Sequence, residues 1–327
     1  MNHNLTRRDF LTASALVTAS LRLTPAMAAE KAERPAPTFK TTLRKALIRN
    51  QPTEAELVKL KEAGFDGIEA GIIPPADAEQ GRAVAEKLGM RIHAVLRGWA
   101  EFNSADAAKV ESSFKVSEDA LRAAQGFGAD AVLLVPCRIG GMKMPRPWEF
   151  LIEFDDKTGH VKRVVAGDNA PYQKYIEAQN HATDASRKAV QKLIPVAEKT
   201  KVIIALENVW NNLWVKPAFF AHFIASFQCP WVQCYFDIGN HVKYAMPEEW
   251  IQSLGKLIVK CHVKDFKLNP DGHGGNWAHP RDGSVNWPAV RKELDAAGYN
   301  GWLTLEDGGL PLEEFSRRLD LIIAGES

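Results

Sequence analysis

The sequence predicts a (β/α)8 TIM barrel with an inserted β-hairpin after the fourth strand, and three observations predict it. Short apolar segments of strand type alternate with helix-length segments from Leu43 to the C-terminus, and eight such strands can be counted. Four of them, KVIIALENVW, WVQCYFDIGNH, LIVKCHVKDFK and GWLTLEDGG, run apolar and then turn polar at Glu207, Asp237, His262 and Glu306. The gaps between those four positions each leave room for a helix, which is the rhythm of parallel βα units whose strand ends share one face.

Taken in order, Arg44 to Ile48 reads as the first strand, and Thr53 caps a helix that runs to Ala63 and stops at Gly64. Gly67 to Ala70 is the second strand, Asp77 to Leu88 a helix and Arg91 to Leu96 the third strand. Ser104 starts a long helix to Phe127, and Ala131 to Val135 is a buried fourth strand closed by Pro136. Residues 137–170 break the alternation. Phe150 to Phe154 and His160 to Val165 flank Asp155-Asp156-Lys157-Thr158-Gly159, the pattern of a hairpin, and place the insert at about residues 142–170.

The alternation resumes with a helix from Pro171 to Lys199 and the strand into Glu207. Pro217 opens a helix before the Asp237 strand, and Pro247 to Leu254 is a helix before the His262 strand. Asn269 to Gly283 is expected as a loop rich in Gly and His. Trp287 to Ala297, Trp302 to Leu305 and Leu312 to Ile323 then supply a helix, the eighth strand and a closing helix.

Residues 1–28 are expected to be a twin-arginine signal peptide, with Thr6-Arg7-Arg8-Asp9-Phe10-Leu11, a modest apolar run and Ala26-Met27-Ala28 as the cleavage site. The run is too short for a membrane span and is interrupted by Arg22, so no membrane anchor is expected after cleavage. Residues 29–41 read as a polar, proline-bearing linker, residues 42–327 as the barrel, and the expected location is the periplasm. Without residues 1–28 the chain carries 38 basic and 39 acidic residues, a balance that disfavours a nucleic-acid partner. Cys137, Cys229, Cys234 and Cys261 are too few and too scattered for a disulfide framework and are expected as free thiols.

Two Glu, one Asp and one His form a hard, oxygen-rich donor set suited to a divalent metal. Mn2+ is the first expectation, with Mg2+, Co2+ or Zn2+ as alternatives. The segments ALENVWNN, YFDIGNH, CHVKDFK and GWLTLED, supported by IHAVLRGW and ADAVLLVP, resemble the xylose isomerase-like barrels, a family of sugar (phosphate) isomerases and epimerases. The resemblance runs from about residue 42 to the C-terminus apart from the insert. It implies that Glu207, Asp237, His262 and Glu306 bind the metal.

It also implies a reaction. A sugar held by its carbonyl oxygen and neighbouring hydroxyl would pass through an enediolate, with Glu207 and Glu306 exchanging a proton as base and acid. Lys264 is a candidate for a substrate hydroxyl or for proton transfer, and His241 for a donor behind the ligands. Glu69, His93, Arg97, Trp99 and Arg138 are expected on the opposite half of the rim as substrate contacts, with Trp99, Trp210 and Trp214 as surfaces for a sugar ring. His273 and His279 are expected as solvated loop residues.

The expected partner is a small carbohydrate, without phosphate because the chain reads as exported and has no Walker-type loop. Two other readings use the same residues: a lyase that removes the C1 substituent of a 3-keto-glycoside by β-elimination, and a non-catalytic, metal-dependent sugar-binding barrel. Keeping both Glu207 and Glu306 weighs against the last. A homo-oligomer is compatible with the exposed barrel ends.

Overall fold

The computed structural model describes residues 38–51 and 53–326, so the expected signal peptide and most of the linker lie outside the described residues. Among the described residues, eight barrel strands alternate with eight helices, and four further strands form two short hairpins. They are β1 (Arg44–Arg49), α1 (Glu54–Glu62), β2 (Gly67–Ala70), α2 (Pro75–Lys87), β3 (Arg91–Trp99), α3 (Ala107–Phe127) and β4 (Ala131–Val135) in the first half. The short strands β5 (Glu153–Phe154) and β6 (Val161–Arg163) follow, then α4 (Gln173–Thr200), β7 (Ile203–Glu207), α5 (Pro217–Ala225), β8 (Val232–Asp237) and α6 (Pro247–Leu254). The chain closes with β9 (Ile258–Val263), β10 (Asp265–Leu268), β11 (Gly275–Ala278), α7 (Trp287–Ala296), β12 (Trp302–Leu305) and α8 (Leu312–Ala324).

The eight barrel strands pair in the closed order β1-β12-β9-β8-β7-β4-β3-β2, every pair parallel. Parallel pairing puts all C-terminal strand ends on one rim, so Glu207, Asp237, His262 and Glu306 fall together. Helices cover the outside and bury the larger core, which includes Leu57, Phe127, Leu193, Phe219, Trp250 and Leu319. The barrel interior holds a smaller apolar cluster of Ala94, Ala131, Leu133, Val135, Ala205 and Tyr235.

Local chemistry fixes the boundaries. Thr53 and Glu56 form a capping box at α1, and Asp106 caps α3 by accepting from the Ala108 N–H. That moves the start of α3 three residues beyond Ser104, whose hydroxyl instead accepts from the Asp106 N–H. Strand β3 runs on past Leu96 to Trp99 through a register shift between Leu96 and Gly98.

Between β4 and α4, β5 pairs with β6 around a turn in which Asp155 Oδ1 accepts from the N–H groups of Lys157 and Thr158. The segment expected as a loop after His262 is instead a second hairpin. Strand β10 pairs antiparallel with β11, from Asp265 opposite Ala278 to Leu268 opposite Gly275. Gly275 makes this pairing close, since a Cβ there would lie 2.0 Å from the Lys267 carbonyl oxygen. Trp148, near the first hairpin, stacks on His273 at the tip of the second with ring centroids 4.1 Å apart. All four cysteines are free.

Candidate metal centre

Glu207 ends β7, Asp237 ends β8, His262 is the penultimate residue of β9 and Glu306 follows β12. One ligand atom from each lies within 4.8 Å of all the others. His262 Nδ1 is 2.8 Å from Glu306 Oε2, 3.5 Å from Glu207 Oε1 and 3.9 Å from Asp237 Oδ2. Asp237 and His262 are fully buried and Glu207 nearly so, whereas the Glu306 side chain is 35% exposed and opens the cluster to the rim.

The donor set fits a divalent cation. Asp237 Oδ2, His262 Nδ1 and Glu306 Oε2 are buried, and their close polar contacts are to one another and to Lys264, an arrangement that a cation shared among them would satisfy. Burial lifts the Glu207 carboxyl to about 7, an effect that His262 only partly offsets. Burial also pushes Glu306 up, but His262 and Lys264 overcome it and hold that carboxyl at about 2. Burial disfavours charge on His262, yet Glu69 and the other carboxylates around it hold its pKa well above the ordinary range. A divalent ion would be the largest local charge here and would favour ionised carboxylates and a neutral imidazole.

The supporting shell is built from short polar bonds. Asp237 Oδ1 accepts from the N–H groups of Gly239 and Asn240, which leaves Oδ2 to face the cluster. Asn208 clamps the same residue, its Oδ1 accepting from the Asp237 N–H at 2.7 Å and its Nδ2 donating to the Asp237 carbonyl at 2.8 Å. Asn240 Nδ2 donates to Glu207 Oε1 at 3.3 Å. Gly239 permits this turn, because a Cβ there would sit 2.6 Å from the Lys264 Cβ. Lys264 Nζ lies 2.8 Å from Glu306 Oε1 and 3.5 Å from Asp237 Oδ2, which places its ammonium on the cluster rather than on Asp265.

Several residues expected on the rim are elsewhere. Glu69 lies inside the barrel at 0% exposure, its Oε2 accepting from His262 Nε2 at 2.6 Å and from the Tyr235 hydroxyl at 3.2 Å. The bulge between Ile68 and Glu69 in the β2–β3 register accompanies that inward turn. His93 is near the N-terminal end of the barrel, stacked on Trp302 and 3.0 Å from Thr304 Oγ1. Arg97 points outward to α3, where it donates to Ser117 Oγ and the Ser113 carbonyl. Trp99 and Arg138 stay exposed and stack on each other at 4.1 Å.

His241 is buried away from the cluster, against Trp250 and Tyr244, and bonds the Val209 carbonyl at 2.8 Å. Burial pulls its pKa down to about 3. Trp214 is fully buried against Phe223 rather than available to a sugar. His279 is tied to Asp307 at 2.7 Å.

Trp210 does reach the rim. It donates to the Asn240 carbonyl and stacks on Trp277, with centroids 4.8 Å apart. Trp277 is 48% exposed and, with Lys264, Asp265, Glu306 and Asp307, lines a cavity of about 250 Å3 beside the ligands. Trp277 stands on β11, inside the segment whose composition predicts a loop. Asn208 and Asn240 were also missed, although they sit one residue after Glu207 and three after Asp237.

Residues 57–320 match the family model described as the xylose isomerase-like TIM barrel. The chain belongs to that family. No curated protein sequence matches it significantly. Among solved structures, this family member is similar to the 3-keto-D-glucoside 4-epimerase of E. coli in its apo form, with TM-score 0.63, 14% identity, and 86% of this chain and 99% of that one covered. A D-tagatose 3-epimerase-like protein gives TM-score 0.65 at 15% identity, covering 86% and 98%. The IOLI protein with a bound zinc atom gives TM-score 0.61 at 14% identity, covering 86% and 96%. At such identities the likeness concerns the barrel alone.

The carboxylate behind His262 yields a prediction. Glu69→Gln preserves shape but removes the charge that orients the imidazole, and such partners are typically worth about 10–100-fold in metal affinity. Competition with a chromogenic chelator should show that loss for a divalent ion. Unchanged affinity would assign Glu69 to barrel packing alone.

Proposed function

We propose that the chain is a divalent-metal-dependent sugar epimerase or isomerase that works through an enediolate on an unphosphorylated sugar or sugar derivative. The observation that carries the reading is the buried cluster of Glu207, Asp237, His262 and Glu306, whose ligand atoms converge within 4.8 Å of one another, with Lys264 set on its open side. The named activities of the two epimerase-related neighbours agree with it. A bound divalent ion, Mn2+ being the first to try, would act as a Lewis acid on a carbonyl oxygen and the neighbouring hydroxyl.

The chain's own residues supply the proton chemistry. Glu207, buried at the end of β7 and 3.5 Å from His262 Nδ1, is a carboxylate placed to take up and return a proton. Glu306 stands across the cluster as its counterpart, and the Lys264 ammonium at 2.8 Å stabilises its negative charge. Proton removal on one face and return on the other inverts a centre. Return to the neighbouring carbon exchanges aldose and ketose.

The test is deuterium incorporation in D2O with candidate ketoses, before and after chelation. Exchange at one sugar carbon, lost on chelation and restored by a divalent ion, is the expected result. Equal exchange by the chelated protein would refute metal dependence.

A second reading is favoured by the Trp210–Trp277 stack beside the cavity, which offers an aromatic face to a substituent beyond the sugar. On that reading a 3-keto-glycoside loses its C1 substituent by β-elimination, and release of a chromogenic aglycone separates it from epimerisation. We also propose twin-arginine export to the periplasm, from the Arg7-Arg8 motif. A variant with both arginines changed to Lys should stay in the cytoplasmic fraction.

A further inference from the structure

The opposite end of the barrel carries a cavity of about 320 Å3 lined by Arg44, Arg91, His93, Gly128, Asp130 and Trp302. Arg44, Arg91 and Trp302 are the first residues of β1, β3 and β12, so this cavity opens at the N-terminal face, away from the metal centre. Among the described residues, neither Arg44 nor Arg91 forms an ion pair with a carboxylate. Arg44 lies over the Trp302 ring at 5.6 Å, and Arg91 makes one long bond of 3.4 Å to the Gly128 carbonyl.

Behind them Lys260 is 3% exposed, and its ammonium is 2.6 Å from Asp130 Oδ1. Asp130 is the one carboxylate lining the cavity, and it is already engaged by that ammonium. The exposed guanidinium groups of Arg44 and Arg91 therefore line a cavity whose one carboxylate is already bound to Lys260. His93, 3% exposed, closes the inner wall, its Nε2 3.0 Å from Thr304 Oγ1. Burial, reinforced by the Lys260 charge, holds this imidazole neutral.

We propose that this cavity is a binding site for a small oxyanion of the phosphate type, held by Arg44 and Arg91. Guanidinium forks match the oxygens of such an anion. The proposal does not depend on what the metal centre does, since the two sites share no residue.

The probe is inorganic phosphate, added to the full chain in its metal-loaded form at constant ionic strength set by chloride. The expected result is a saturable rise in Tm of about 2–4 °C at a phosphate concentration roughly ten times its dissociation constant, with calorimetric titration giving one site per chain. Arg91→Gln and Arg44→Gln should each lose most of that rise, whereas Lys115→Gln, on the exposed face of α3, should keep it. Glycerol 3-phosphate in a parallel titration separates a site for free phosphate from one that accepts a phosphate ester. A non-saturating rise, or one equal in the wild type and both arginine variants, is the general effect of an excluded salt and would overturn the proposal.

Discussion

His262→Ala should leave a folded barrel that no longer holds its divalent ion and no longer exchanges a sugar proton with solvent. The imidazole is the sole nitrogen donor in the cluster, and it is held between Glu69 on one side and three carboxylates on the other. Its loss leaves three acids facing one another, which favours proton uptake over tight metal binding. Elemental analysis should fall from about one ion per chain to a small fraction. The exchange rate should drop by about 10^2–10^3-fold or more, the scale of removing one preorganised electrostatic group. Asp237→Asn is the companion, because its Oδ1 can still accept from Gly239 and Asn240 while the charge facing the cluster disappears. Lys264→Met should separate the roles by retaining metal and losing turnover. Full metal content with unchanged exchange in His262→Ala would defeat the assignment of the cluster as the reaction centre.

The order of strands and helices was legible because a parallel barrel buries both faces of each strand and so leaves runs such as AVLLV, while each crossover leaves a helix-length amphipathic segment. The convergence of Glu207, Asp237, His262 and Glu306 was legible for the same reason, since the strand ends share a rim once the alternation is granted. What escaped was direction within a strand. Glu69, His93 and Arg97 all stand on β2 and β3, where irregular registers turn side chains from their simple alternation. Glu69 thus became the support of His262, and Arg97 a bond to α3. The β10–β11 hairpin escaped because Gly and His at residues 272–275 weaken any strand pattern, and with it went Trp277. His241 adjoins Asp237 in sequence yet packs under α6, since the tight turn at Gly239 reverses the chain between them.

Asp265→Asn should be the most destabilising conservative substitution near the site. This carboxylate is fully buried, and its two oxygens accept from the N–H groups of Phe266, Arg281 and Val285 and from the Trp287 indole. It therefore ties the start of β10 to the segment leading into α7. An amide in its place must turn an NH2 toward N–H donors, and each orphaned donor costs about 1–3 kcal/mol. Two such donors give roughly 2–6 kcal/mol, and a Tm lower by about 4 °C or more follows for a domain of this size. Gly283→Ala attacks the same joint from the other side, since its Cβ would lie 1.9 Å from Asp265 Oδ1. Both variants should increase hydrogen exchange across residues 265–287. Lys264 stands next to the anchor, so turnover should fall further than metal content in each. If Asp265→Asn melts within a degree of the wild type, the β10–β11 hairpin is held by its aromatic contacts, and the position of Lys264 must be explained by its pairing with Glu306 and Asp237 alone.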